Sequence, residues 1–345
     1  MREITITAND SGRRLDRFLR KYLRDASLGE IYKLIRKDVK VDGKRKDESY
    51  ILNEGEILSL YLSDEVIEKL TGQGRGAASP TYGAKKAKRQ FKIIYEDENI
   101  LVADKPFGLL THGDAHEKKN HLANQVKDYL IEQGEYDPRN EKVFSPAPAN
   151  RIDRNTTGLV IFGKNSASLK ALGEMIREDM VSKYYLTIVH GDLNEEKVLT
   201  GTLIKDGSSN KVTVRNGDQG QDGLSIKTIV RPIDHFRYGN GSKATLVEVQ
   251  LVTGRSHQIR AHLASIGHPV IGDIKYASAS VRRANEYIAK NYHLTTQLLH
   301  AYRLVIDEAA QGLEYLSGRV FAAPVPPVFA GILESMRSRK GSEIG

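Results

Sequence analysis

The sequence predicts an α+β protein in which a large domain with a mixed, mostly antiparallel sheet and flanking helices follows a small α+β domain. From Phe91 onward, strand patterns and helix patterns do not alternate regularly, which argues against a doubly wound parallel sheet. The chain also lacks a glycine-rich nucleotide-binding fingerprint. The first 70 residues have helix and hairpin patterns of their own. We therefore expect domains over 1–70 and 91–335, joined by a linker over 71–90.

The composition excludes several classes of protein. Hydrophobic residues make up 39% of the 345 residues, which is enough to bury a sizeable core. The absence of cysteine excludes disulfides, thiolate metal sites and a cysteine nucleophile. No run approaches the ~18 apolar residues of a membrane helix. The charged start "MREITITAND" is not typical of a signal peptide, so we expect a cytoplasmic protein.

Positive charge is concentrated at the amino terminus. The formal net charge is +8, and residues 1–46 hold 14 Lys and Arg against 7 Asp and Glu. Such an asymmetry indicates a polyanionic partner, and nucleic acid is the commonest polyanion in the cytoplasm.

The small domain is predicted element by element. A helical apolar stripe consists of Leu15, Phe18, Leu19, Tyr22 and Leu23. A second helix begins at Ser27, where Glu30 completes a capping box. The stretch "VKVDGKRK" predicts a strand and an Asp-Gly turn, and "GEILSLYL" predicts a closing strand. The two basic helices and the basic hairpin would present one positive face to a phosphate backbone.

Residues 13–62 resemble the small RNA-binding domain named after small-subunit ribosomal protein four. The resemblance implies RNA as the partner of this domain. The basic side chains that we expect on RNA are Arg14, Arg17, Arg36, Lys37 and Lys44. The following stretch, "TGQGRGAASPTYGAKKAKRQ", is rich in Gly, Ala and Lys without apolar periodicity, which is typical of a flexible linker.

The large domain begins with "FKIIYEDENILVADKP", which predicts two strands around an acidic turn. Helical spacing follows in "NQVKDYLIEQ" and in "SLKALGEMIRED", the latter with Ser166 as its cap. The stretches "KYYLTIVHG", "ATLVEVQLV" and "YRLVI" predict strands.

Four stretches of this domain carry residues suited to chemistry. In "RIDRNTTGLVIFGKN", Asp153 stands between two arginines just before an apolar strand, where a carboxylate is held rigidly and still reaches a ligand. Aspartate is ionised at neutral pH and is a suitable nucleophile, and arginine partners would keep it charged and oriented. In "KYYLTIVHG", Tyr184 and Tyr185 point to opposite faces of one strand, so one of them can face a site.

The third and fourth stretches lie further along the chain. "TGRSHQIRAHLASIGHPVIGD" supplies Arg255, His257 and Arg260, and "LLHAYRLVI" places His300 at the head of a strand. His257 and His262 are five residues apart and would lie on different helix faces, so a metal site is not expected there.

These four stretches, in this order and with "YEDENILVADKPFGLLTHG" upstream, resemble the RluA-type family of RNA pseudouridine synthases, including its RluC- and RluD-like members. The resemblance extends from Phe91 to about Pro327. It implies isomerisation of uridine to pseudouridine in structured RNA, most simply large-subunit ribosomal RNA, without a cofactor or a metal. We expect the protein to act as a monomer away from membranes.

The resemblance also implies roles for single residues. The catalytic aspartate corresponds to Asp153, the tyrosine that ends a Lys-x-Tyr motif to Tyr185, and the arginine that pairs with the aspartate to Arg260. We expect Tyr185 to stack on uracil and to act as a base, with Lys183 lowering its pKa from the usual ~10. The side chains expected to contact the substrate here are Arg151, Lys183, Arg255 and His257. The sequence departs from the family pattern at Asn150, where histidine is usual.

Other functions remain open on the sequence. The substrate could be transfer RNA instead of ribosomal RNA. The chain could also be an RNA-binding or chaperone protein with a degenerate site, although Asp153, Tyr185 and Arg260 are all present. A glycosidase would need a second positioned carboxylate, and the sequence indicates none.

Overall fold

The computed structural model describes residues 1–72, 88–205, 212–215, 223–238 and 241–341, so residues 73–87 of the predicted linker lie outside the described residues. The chain divides into two compact units. The first unit contains Met1–Arg89 together with Ala123–Ala147 and Gly163–Lys170, and the second contains the remainder.

The amino-terminal part of the first unit is built on a three-stranded sheet. Its elements are β1 (Arg2–Thr5), α1 (Leu15–Tyr22), α2 (Leu28–Lys37), β2 (Val39–Val41), β3 (Ile57–Leu60) and α3 (Asp64–Thr71). The strand order is β1–β3–β2, and both pairs are antiparallel. The strand β1 and the helix α3 were not predicted, because each is a single short element whose inward side is formed by one or two apolar residues.

The predicted local signals of this part are confirmed. The stripe of α1 is buried at Leu15, Phe18 and Leu19. Ser27 caps α2 in a reciprocal capping box, because Glu30 N donates to Ser27 Oγ and Ser27 N donates to Glu30 Oε2. The turn after β2 has left-handed backbone at both Asp42 and Gly43, as a tight hairpin turn requires.

Later segments of the chain complete the first unit. Asn9 Nδ2 donates to Glu141 Oε1 at 2.9 Å, and Asp10 Oδ1 accepts a hydrogen bond from Phe144 N at 3.0 Å. Val143 packs in the same apolar core as Phe18. The first 72 residues therefore contact parts of the chain well beyond the linker.

The remaining elements form the rest of the molecule. They are β4 (Lys92–Glu96), β5 (Ile100–Lys105), α4 (Leu122–Glu132), β6 (Ala147–Pro148), β7 (Thr157–Gly163), α5 (Ser166–Arg177), β8 (Val181–His190), β9 (Lys197–Lys205), β10 (Val212–Arg215), β11 (Leu224–Tyr238), β12 (Ser242–Leu251), α6 (Gln258–Ser265), α7 (Arg282–Tyr292), β13 (Leu299–Ile306), β14 (Val320–Ala322) and α8 (Pro327–Gly341).

Eleven of these described strands join in one sheet. Its order is β10–β9–β11–β12–β8–β13–β7–β5–β4, with β14 beside β13 and β6 beside β7. β8 pairs antiparallel with β12 and β13, whereas β13 and β7 run parallel. The predicted mixed, mostly antiparallel sheet with flanking helices is confirmed.

Helices cover this sheet at separate apolar clusters. Leu172 and Met175 of α5 pack with residues of β5 and β7. α7 and α8 contribute Ile288 and Phe329 to a cluster that also contains Ile188 of β8. Among the described residues, no helix is long and apolar enough to cross a lipid bilayer.

The predicted cap of α5 is wrong by one residue. Ser166 is the first residue of the helix, and its backbone N–H donates to Asn9 Oδ1. The side chain of Asn165 takes the capping role, since its Oδ1 accepts from Ser168 N at 2.8 Å. Both residue types cap helices well, so the sequence did not separate them.

Candidate active site

A cleft of about 560 Å³ in the second unit brings the predicted chemical residues together. It is lined by every large-domain residue that the sequence analysis assigned to catalysis or substrate contact, namely Asp153, Tyr185, Arg260, Arg151, Lys183, Arg255 and His257. Residues far apart in the chain therefore meet in one place, because β8, the loop before β7 and the start of α6 all border this cleft.

The loop that carries Asp153 is fixed by hydrogen bonds on both sides of that residue. Thr111 Oγ1 donates to Ile152 O at 2.9 Å, and the buried Lys105 Nζ donates to Arg154 O at 2.9 Å. Thr156 N closes the turn by donating to Asp153 O at 3.1 Å. The carboxylate itself keeps 27% of its side-chain surface exposed, so a rigid loop presents a reachable anion.

The end of this loop requires a glycine. Gly158 has φ +111°, and a β-carbon on it would lie 2.1 Å from the backbone oxygen of Ala301. The close approach of β7 to β13 therefore depends on the missing side chain. Next to it, Thr157 Oγ1 lies 2.9 Å from His300 Nδ1, and His300 is fully buried. His300, named as a candidate in the sequence, thus supports the strand behind the loop.

Arg260 joins Asp153 to a second carboxylate. Its Nη1 lies 3.4 Å from Asp153 Oδ2, while Nε and Nη2 bind Asp273 at 2.6 and 2.9 Å. Asp273 is buried, so the fork of two hydrogen bonds fixes the guanidinium plane and leaves one nitrogen for Asp153. Burial lowers the pKa of Arg260, but its hydrogen bond to Asp273 and the charges of both carboxylates raise it by more. Arg260 thus lies within hydrogen-bond distance of Asp153, the residue with which the resemblance pairs it, and its part in catalysis stays a prediction.

The arginines that flank Asp153 in sequence have other positions. Arg151 lines the cleft. Arg154 is exposed, and its Nε donates to Gly108 O at 3.1 Å. The cation that meets the Asp153 carboxylate is therefore supplied by α6, and not by the neighbouring Arg154.

His257 stands at the start of α6 in strained backbone. Its φ of +56° is in the left-handed region, which is uncommon for a residue with a side chain. Nδ1 lies 3.0 Å from Tyr276 Oη, and Nε2 lies 3.9 Å from Asp153 Oδ2. Burial lowers the pKa of His257 while the charge of Asp153 opposes that shift. The imidazole thus lies between the Tyr276 hydroxyl and the Asp153 carboxylate.

Tyr185 is the tyrosine of β8 that faces the cleft, and its side chain is buried. Tyr184 points to the other face of the sheet, where the guanidinium of Arg303 lies 4.1 Å from its ring centre. Burial strongly raises the pKa of Tyr185, and the charge of Asp153 raises it further. The expected lowering of this pKa by Lys183 is therefore wrong, because desolvation and the nearby carboxylate both disfavour a phenolate.

Lys183 lies two residues before Tyr185 on the same face of β8 and is also buried. Burial lowers its pKa, and the charge of Asp179 opposes the shift. Asp179 borders the same cleft, so Lys183 has an acidic neighbour of its own.

Lys105, which holds the Asp153 loop from the adjoining strand end, is a residue that sequence reasoning missed. It is fully buried, and its Nζ donates to Pro106 O at 3.0 Å, to Leu109 O at 2.7 Å and to Arg154 O at 2.9 Å. Burial lowers its pKa to about 7, opposed by the charges of Asp153 and Asp104. A lysine at the end of an apolar strand, in "ILVADKP", was the available signal. Asp273 was missed in the same way within "VIGD".

Asn150, the departure from the family pattern, has a backbone-pairing role. Its Oδ1 accepts from Ile161 N at 2.9 Å, and its Nδ2 approaches Leu159 O at 3.4 Å. The side chain thus continues the pairing of β6 with β7 and helps to anchor the Asp153 loop.

The basic residues predicted in the first unit are only partly grouped. Arg36 lines a pocket of about 450 Å³ with Arg45 and Lys46, which the sequence analysis did not single out. Lys46 Nζ lies 4.2 Å above the ring centre of Tyr50 in this pocket. Arg14 is paired with Asp16 through two hydrogen bonds. Arg17, Lys37 and Lys44 are exposed.

Comparison with known proteins identifies the class to which this fold and site belong. The pattern of the RNA pseudouridylate synthase family matches residues 99–265. A ribosomal large subunit pseudouridine synthase C of Vibrio vulnificus is 32% identical over 341 residues, which cover 98% of this chain and 97% of that protein. The protein of the same name from Escherichia coli is 29% identical and covers 90% of this chain and 89% of the relative. The chain belongs to the RNA pseudouridylate synthase family.

A solved structure supports the fold. The human RNA pseudouridylate synthase domain containing 4 protein aligns with a TM-score of 0.52 at 20% identity, over 71% of this chain and 92% of that one. The family match and the relatives confirm the resemblance to the pseudouridine synthases drawn from the sequence, and with it the enzyme class.

Proposed function

We propose that this RNA pseudouridine synthase acts on large-subunit ribosomal RNA and uses Asp153 as its nucleophile. The observation that carries the proposal is the carboxylate of Asp153, held on a fixed loop against Arg260 in a cleft that also contains Tyr185. Several relatives that match most of the chain, including those of Vibrio vulnificus and Escherichia coli, are named for the large ribosomal subunit, and this supports the choice of RNA. A ribosomal RNA substrate implies that the protein acts in the cytoplasm, and it acts there as a monomer.

The isomerisation needs an anion beside the ribose and the base. The bond from uracil N1 to ribose C1′ breaks, the base rotates, and a bond from C5 to C1′ forms. C5 then loses its proton, and N1 gains one. As the nucleophile, the Asp153 carboxylate forms a bond to ribose C1′ as the bond to N1 breaks, and this bond breaks in turn when C5 attacks C1′. Arg260 and the loop keep the carboxylate ionised and in place for this step.

Tyr185 packs against the uracil ring as a neutral phenol. Its raised pKa makes phenolate rare at neutral pH, so the neutral hydroxyl relays the proton: Oη accepts the C5 proton while its own proton passes to solvent, from which N1 gains one. Arg151, Arg255 and Lys183 border the cleft and bind phosphate or ribose oxygens of the flipped nucleotide. His257 supports the aspartate from α6.

The basic residues of the first unit hold the phosphate backbone. Arg36, Arg45 and Lys46 share one pocket with Tyr50, and the exposed Arg17, Lys37 and Lys44 add positive charge in the same unit. These contacts supply affinity that depends on salt and offset the cost of a few kcal/mol of unstacking the target uridine.

The test is the substitution Asp153→Asn, with Asp179→Asn as the matched control. Both changes remove one carboxylate charge from the same cleft. We expect Asp153→Asn to bind RNA like the wild type and to form no pseudouridine, whereas Asp179→Asn keeps most of the turnover. Pseudouridines are mapped in ribosomal and transfer RNA from cells that lack the protein and carry either variant. Turnover by Asp153→Asn would disprove the nucleophile, and a site missing only from transfer RNA would disprove the choice of RNA.

A further inference from the structure

An exposed aromatic side chain lies at the tip of a turn beside the catalytic loop. Phe107 has 57% of its surface exposed, whereas the other seven phenylalanines of the chain are buried. It follows Pro106 and precedes Gly108, whose φ of +80° lets the chain reverse sharply. Residues 106–109 thus hold the ring out into solvent.

Two cationic side chains hold the backbone of this turn in place. Lys105 Nζ donates to Pro106 O and to Leu109 O, on either side of Phe107, and Arg154 Nε donates to Gly108 O. Every backbone carbonyl from 106 to 109 except that of Phe107 itself therefore accepts a hydrogen bond from a cationic side chain. A loop held so firmly does not need an exposed phenyl ring for its own stability.

The same two cations connect the turn to Asp153. Lys105 Nζ also donates to Arg154 O, and Arg154 directly follows Asp153 in the chain. The ring of Phe107 is thus tied to the nucleophile through one buried ammonium and one guanidinium, and both groups belong to the second unit. Phe107 does not border the cleft itself, so the nucleotide in the cleft is not its contact.

We propose that Phe107 stacks on an unpaired nucleobase next to the target uridine. A uridine that enters the cleft leaves its neighbours without a stacking partner, and an aromatic ring replaces that partner for any base because every base has a π-face. The exposed guanidinium of Arg154 beside the turn adds a positive charge for the adjoining phosphate. This inference rests on the proposed role of Asp153, since it places the target uridine in that cleft.

The test compares Phe107→Ala, Phe107→Leu and Phe107→Trp. Leucine keeps apolar bulk without a π-face, and tryptophan keeps the π-face. Val328→Ala on α8, at a side chain that is 60% exposed, controls for the loss of an exposed apolar group. Single-turnover rates are measured against enzyme concentration on an unmodified large-subunit ribosomal RNA transcript. Melting temperatures should be the same for all four variants.

In Phe107→Ala and Phe107→Leu we expect the enzyme concentration for half-maximal rate to rise roughly 5- to 150-fold, which is the effect of losing one stacked base. In Phe107→Trp and Val328→Ala this concentration should stay near the wild-type value. A hairpin RNA around a uridine that the wild type modifies then carries 2-aminopurine at each flanking position in turn. Binding should quench the 2-aminopurine fluorescence at one flanking position when residue 107 is phenylalanine or tryptophan, and not when it is leucine.

Wild-type behaviour of Phe107→Leu in both assays would overturn the stacking role while leaving Asp153 untouched. Turnover by Asp153→Asn would instead disprove the proposed nucleophile. The Phe107 variants keep Asp153 and report on RNA binding, so the two proposals can fail independently of each other.

Discussion

Arg260 provides the most direct test of how the site is held together. Replacing it with methionine removes two hydrogen bonds to the buried Asp273 and the contact of 3.4 Å to Asp153. Breaking a buried ion pair by removing one partner costs about 3–5 kcal/mol. Asp273 keeps backbone N–H donors from Lys275 and Tyr276, so we expect roughly 3 kcal/mol, at the lower end of that range. A domain of ordinary stability, about 5–15 kcal/mol, survives this loss.

The effect of Arg260→Met on turnover is separate from its effect on stability. The contact to Asp153 is long and partly exposed, so its loss should cost about 1.5 kcal/mol of transition-state stabilisation, or roughly tenfold in turnover. Asp273→Asn is the control, because it weakens the buried pair and leaves Arg260 to face Asp153. It should lower the free energy of unfolding with a smaller loss of turnover.

Urea unfolding and release of tritium from RNA that contains 5-tritiated uridine measure the two quantities. Arg260→Lys keeps the charge without the fork, and we expect a stability close to that of Arg260→Met with a turnover between Met and wild type. Wild-type turnover in a folded Arg260→Met protein would refute the reasoning and would show that another arginine, such as Arg255, holds the aspartate.

Three further changes test other parts of the structure. Tyr185→Phe should strongly reduce tritium release with little change in RNA affinity, and a larger loss in Tyr184→Phe would mean that the wrong face of β8 has been assigned. The pKa of Lys105 is lowered in the folded state to about 7, so the unfolded chain binds one more proton than the folded chain between about pH 7 and the ordinary lysine pKa. The free energy of unfolding of the wild type relative to Lys105→Met should therefore rise with pH in that window, by at most ~1.4 kcal/mol per pH unit. A difference in urea unfolding that stays constant with pH would show that Lys105 remains charged. The triple change Arg36→Gln, Arg45→Gln and Lys46→Gln should flatten the slope of log affinity against log salt by roughly 2–3, and an unchanged slope would mean that this pocket does not touch RNA.

Substitution of these charges is a better test of the basic residues than deletion of 1–70. That deletion would remove the partners of Glu141 and Phe144 and part of the core around Val143. Loss of function after such a truncation would report on folding of the first unit as well as on RNA binding.

The sequence by itself determined the elements that depend on local spacing. The stripe of α1, the capping box at Ser27 and the Asp-Gly turn follow from neighbours within one or two turns of chain, and all three are present. The order of the motifs around Asp153, Tyr185 and Arg260 was sufficient to indicate the family. These signals need no knowledge of the tertiary structure, because the residues that produce them are close in the chain.

The tertiary structure alone decided how the site is supported and charged. Lys105 and Arg154 are 49 residues apart, and Asp153 and Arg260 are 107 apart, so their contacts depend on how the strands of the sheet are paired. The sequence led us to expect a lowered pKa for Tyr185, whereas burial raises it. The spacing between Tyr185 and Lys183 in the chain does not indicate how far the phenol is desolvated. Desolvation depends on every group packed around a side chain, and those groups come from the whole fold.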